Sequence, residues 1–71
     1  MSSVAAEVRN TRQSQQLTSG ELADRCHTIN PKQSPAAWRV TISRVESGRY
    51  APRSDTLEVI ARALGRIWVL R

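Results

Sequence analysis

Apolar residues recur at three- and four-residue intervals in four separate stretches of this chain, a pattern that predicts four helices. The strongest stretch spans residues 54–64, where Leu57, Ile60, Ala61 and Leu64 form one stripe. Ser54 stands where an N-cap belongs, Asp55 complements the dipole in the first turn, and Gly65 follows as a stop. A second stretch, 34–47, carries both of its ends in the sequence. Ser34 can cap it, Pro35 falls at the first position, where a missing N–H costs nothing, and Gly48 can close it in the left-handed conformation. Trp38, Ile42 and Val45 are its apolar stripe. Residues 3–15 read as a first helix with Val4, Val8 and Thr11 on one face and a weakly marked end at Gln15-Gln16, after which Leu17 turns inward. Residues 18–27 read as the second, opened by the capping-box spacing of Thr18 and Glu21, with Leu22, Ala23 and Cys26 inward. His27 to Gln33 is the connection, punctuated by Asn30-Pro31, with Ile29 its one inward-packing residue. Residues 67–70, Ile-Trp-Val-Leu, are too few for a helix and rich in β-formers, so they predict a strand.

The polar side of 34–47 changes the picture from fold to function. It carries Arg39, Val40, Ser43, Arg44 and Ser47, with no acid among them. Over the whole chain eleven Lys and Arg stand against six Asp and Glu, a net charge of +5, and every cation except Lys32 is Arg. Arg offers a planar fork that matches guanine edges and phosphate oxygens, so a small basic domain of this kind points to nucleic acid.

Other chemistries find little support. Cys26-His27 suggests a metal, but one Cys and one His cannot supply the four ligands of a structural zinc site. The acids are scattered and His27 has no nucleophile beside it, so neither catalysis nor a cofactor is expected. No apolar run approaches membrane-spanning length, and the N-terminus lacks a signal pattern. With its single thiol, the chain is expected to be cytoplasmic. Seventy-one residues allow one domain, 1–71, whose small core calls for help from association. A lone strand needs a partner, so Ile67, Trp68, Val69 and Leu70 are expected to pair across a homodimer.

The ordered pieces resemble the phage-repressor helix-turn-helix family, the Cro-like or XRE-type regulators. The likeness runs from Val8 to Gly65: Val8 and Arg12 in the first helix, Leu17, Thr18, Leu22 and Ala23 opening the second, Thr41 to Gly48 (TISRVESG) in the third, then Pro52 and Thr56 to Gly65 (TLEVIARALG). It departs from the family in two places. Ile42 lies 19 positions after Ala23, more than the family's tight turn spans, so the third helix should begin about a turn early after a longer connection. Ser19 and Trp38 stand where the family tends to have Gln and a capping Ser or Thr. The final strand is similar to that of HipB-type antitoxins, a branch of the same family.

The resemblance implies an all-α helix-turn-helix domain of four to five helices with a short C-terminal β-strand. It implies sequence-specific binding to double-stranded DNA, most simply as a homodimeric repressor on a palindromic operator. The alternative it carries is an antitoxin that also binds a toxin protein. Arg39, Val40, Ser43 and Arg44 would then face base edges, and Ser19, Thr41, Ser47, Arg49, Tyr50 and Arg53 would meet phosphates. A protein-interaction module without DNA binding is the reading from another class.

Overall fold

The computed structural model describes residues 4–49 and 51–65. Four helices occupy them: α1 (Val4–Ser14), α2 (Ser19–Ile29), α3 (Pro35–Ser47) and α4 (Ser54–Ala63). The described residues are all-α, with no strand among them, and the strand expected at 67–70 lies outside them. α2 packs against both α3 and α4, while α1 packs against α3.

The helix ends follow local chemistry. At α2 the Thr18 hydroxyl accepts the Glu21 N–H (3.1 Å) and the Glu21 carboxylate accepts the Thr18 N–H (3.0 Å), a complete capping box. The Thr18 N–H, with the Thr18 hydroxyl beside it, holds the Glu21 carboxyl below its ordinary pKa. At α3 the Ser34 hydroxyl accepts the Ala37 N–H, Pro35 opens the helix, and Gly48 ends it at φ 75°.

Two ends differ from expectation. α4 begins at Ser54 itself, so Arg53 holds the N-cap position and makes no side-chain capping bond. The chain arrives extended after Pro52, and the Arg53 carbonyl already accepts the Leu57 N–H (3.0 Å), which leaves Ser54 inside the first turn. α2 continues through His27 and Thr28 to Ile29, so the connection is only residues 30–34. The helical ladder persists because the Asn30 N–H still reaches the Cys26 carbonyl (2.8 Å), and it stops where Pro31 holds Asn30 out of helical geometry. The long spacing between Ala23 and Ile42 is therefore absorbed by helix at both sides of a short link. Ile29 is 38% exposed, contrary to its expected inward packing. It continues the stripe of Leu22 and Cys26 but overhangs the core. Trp38 closes that end instead, fully buried, with its indole N–H directed at the Asn30 carbonyl (3.4 Å).

α1 ends in a Schellman motif that its sequence barely announces. The Leu17 N–H bonds the Arg12 carbonyl and the Gln16 N–H bonds the Gln13 carbonyl (both 3.0 Å), with Gln16 at φ 56°. Glycine takes this conformation without a Cβ penalty. Gln16→Gly is therefore expected to raise stability by about 0.5–1 kcal/mol, the left-handed penalty less the extra entropy glycine loses, read as a higher urea midpoint. A lower midpoint would mean that the turn is not strained.

The core joins Val8, Leu17, Leu22, Ala23, Cys26, Trp38, Ile42, Val45, Ile60, Ala63 and Leu64. Burial pushes the Cys26 thiol up to about 12, so it packs as a small apolar group. The end of α4 is fastened by the Gln15 side-chain amide on the Leu64 carbonyl (2.7 Å) and by Arg25 on the Ala63 carbonyl (3.3 Å). Gly65 follows at φ 68°.

Candidate nucleic-acid interface

α3 is a helix with two opposed characters. Trp38, Ile42 and Val45 are buried, while Arg39, Val40, Ser43, Arg44 and Ser47 are exposed. Val40 is 53% exposed, the most open of the large apolar side chains described.

The inner side also buries a charge that sequence reasoning missed. Glu46 is only 9% exposed. The Arg12 guanidinium grips its carboxylate with two bonds, Nε to Oε2 (2.8 Å) and Nη2 to Oε1 (2.9 Å), and spends Nη1 on the Leu17 carbonyl (2.9 Å). Arg9 adds a bond to the Glu46 main-chain carbonyl (2.6 Å). The hydrogen bond with Glu46 raises the Arg12 pKa further, against the desolvation that opposes it. This cluster fixes α3 to α1. The signal in the sequence was the pairing of Arg12 with the Glu-x-Gly end of α3, distant along the chain and visible only as part of a family pattern.

The electrostatics of the outer side follow from that burial. Glu46, the one acid of α3, is turned inward and neutralised, so the outer side presents cations alone. Among the described residues, Arg39, Arg44 and Arg49 have no carboxylate within ion-pair distance. Arg53 approaches Asp55 at 3.8 Å, but both side chains are at least three-quarters exposed, a geometry worth little. Arg39 lies against the start of α2, where its Nε comes within 3.7 Å of the point a β-carbon on Gly20 would occupy.

The hydroxyls divide. Ser43 is exposed on the outer side, and Ser19 is half-buried at the first turn of α2. Thr41 donates to the Ala37 carbonyl (3.0 Å) and accepts from the Gln33 amide (2.9 Å), so its proton is committed within the protein. Ser47 likewise donates to the Arg44 carbonyl (2.6 Å) and accepts the Arg49 N–H (3.3 Å). Tyr50 and Ile67, Trp68, Val69 and Leu70 lie outside the described residues. The structure thus brings Arg39, Val40, Ser43, Arg44 and Ser47 onto one side of one helix, and places Arg49 and Arg53 on the exposed path that leads from its end to α4.

Among the described residues no group of three His, Cys, Asp or Glu side chains could hold a metal ion, and no helix is long and apolar enough to cross a membrane. The His27 ring meets the Gln33 carbonyl through Nδ1 (2.8 Å) and serves to pin the connection.

A family model described as a helix-turn-helix domain matches residues 3–66. The chain belongs to the helix-turn-helix domain family. Among curated proteins and among solved structures, none matches it. Helix-turn-helix domains of this XRE-like class bind DNA and are generally not enzymes. In helix-turn-helix geometry the second helix of the motif lies in the major groove while the first crosses the backbone.

Arg is a poor N-cap, yet Arg53 holds that position at α4. Arg53→Ser is expected to stabilise the fold by about 0.5–2 kcal/mol through a new cap. It should also weaken DNA binding by a similar factor on every sequence and lower the salt slope by roughly one unit. Unchanged binding and slope would show that Arg53 stays solvated in the complex.

Proposed function

We propose that this protein is a sequence-specific, DNA-binding transcriptional regulator of the cytoplasm, acting as a homodimeric repressor. The observation that carries the reading is the outer side of α3. It combines exposed cations that no carboxylate among the described residues pairs with, a hydroxyl and a branched apolar group, on a helix whose other side is locked into the core. Val40, Ser43 and Arg44 would face base edges along the outer side of α3, with Arg39 at its flank. A guanidinium there fits the O6 and N7 of guanine. Ser19, Arg49, Tyr50 and Arg53 would meet phosphates on either side and set register. Thr41 and Ser47 would join them only by exchanging the backbone bonds they now make.

Dimerisation is proposed through Ile67, Trp68, Val69 and Leu70. Pairing of this segment with its symmetry mate would place two α3 helices in successive major grooves, about one helical turn apart. Repression would follow from occupying the operator.

The test is selection of bound duplexes from random DNA by the full chain, followed by fluorescence anisotropy across a salt series. The expected result is affinity that falls linearly on a log–log plot and a selected site of two related half-sites. Binding that ignores salt, or none, would remove the reading. Deleting residues 67–71 is expected to abolish the dimer in sedimentation and to lower operator affinity sharply. A truncated chain that remains dimeric would move the interface elsewhere.

A further inference from the structure

The outward direction of α3 can be located from its buried residues. At about 100° per residue, and with Trp38, Ile42 and Val45 inward, Val40 falls near the outer pole, Ala36 within roughly 30° of it and Ala37 roughly 75° round from it, while Arg39 and Thr41 fall on the flanks. Ala36 and Ala37 are exposed, as Val40 is. The outermost surface of the first two turns is therefore apolar, and the arginines bracket it: Arg39 to one side, Arg44 a turn further on. No acid occupies the first turn of α3, and that end carries the positive pole of the helix dipole.

We infer that Ala36, Ala37 and Val40 form a methyl-reading surface, and that the bound DNA presents thymine to it. The inference rests on the major-groove reading of α3 and adds which base chemistry its leading end selects. In helix-turn-helix docking the residues near the start of the recognition helix meet base edges. Val40 and the two alanines have no side-chain donor or acceptor. Set against guanine O6 and N7 or the amino group of cytosine, they would strip water from those atoms and return no hydrogen bond. Thymine alone offers an apolar group in the major groove, its C5-methyl. Two alanines beside Val40 let the helix come close enough for the contact, and the flanking guanidiniums supply the attraction that brings it to the polyanion.

Deoxyuridine tests this, because it removes the thymine methyl and alters no hydrogen-bonding atom. The full chain is titrated against its selected duplex and against the same duplex with thymines replaced one at a time by deoxyuridine, at fixed salt. The expected result is one or more positions at which affinity falls about four-fold per methyl lost, with the salt slope unchanged. Val40→Ser, at an exposed position and checked for native helicity by circular dichroism, should flatten that difference. Equal affinity for every substituted duplex, with salt-dependent and sequence-specific binding intact, overturns the methyl-reading surface and leaves the DNA reading standing. Absence of salt-sensitive binding to any duplex removes both.

Discussion

Arg12→Met is expected to destabilise the domain by about 3–5 kcal/mol, because it leaves the Glu46 carboxylate buried without its partner. Domains of this size have total stabilities on the order of 4–10 kcal/mol, so the variant should be largely unfolded near body temperature. The reason lies in the asymmetry of buried ion pairs. Forming one roughly balances the loss of hydration, whereas breaking one strands a charge. Arg12 also releases the Leu17 carbonyl, which adds a second unpaired group. The check is urea denaturation of Arg12→Met, Glu46→Leu and the double variant. The double variant should recover much of the loss, since two apolar side chains replace the whole pair. A single variant that loses less than about 1 kcal/mol would show that water reaches the carboxylate and that the cluster contributes little.

Arg44→Ala is expected to weaken operator binding by about 1–3 kcal/mol, ten- to over one-hundred-fold, and to relax preference at one or two base pairs. Arg44 stands on the outer side in the last turns of α3, unpaired by any carboxylate among the described residues, so its fork is available to a base edge. Stability should change little, because the side chain is exposed. Anisotropy against the selected duplex and its single-base variants measures both quantities. Equal weakening on all sequences, with preference intact, would make Arg44 a phosphate contact instead.

What the sequence made legible was local. Ser34, Pro35 and Gly48 bound α3 by chemistry within a few residues, and the capping box of Thr18 and Glu21 needs nothing outside its own turn. The apolar stripes of α3 and α4 were likewise readable, because helical period alone separates inner from outer residues. Features set by tertiary neighbours were not. Ile29 carries the right phase for burial, but the end of α2 overhangs the core and Trp38 takes the space. Ser54 is an excellent cap in isolation, but the extended chain after Pro52 starts the helix one residue earlier. The burial of Glu46 has no local signal, since the arginine that covers it lies 34 residues away. The outward placement of Ala36 follows only once the buried residues fix which way α3 turns.

The double hold on Glu46 has a mechanical meaning. Arg12 grips its side chain and Arg9 its main-chain carbonyl, so the end of α3 is held at two radii from the helix axis. Apolar contacts oppose a roll about the helix axis through shape alone, with no directional bond. Here rolling must stretch both grips in the same motion. A roll of about 20° would carry a side chain roughly 2 Å sideways at the helix surface, enough to break any hydrogen bond to a base edge. The cluster is a torsional stop, and it lets residues on the far side of the helix keep their aim without touching one another.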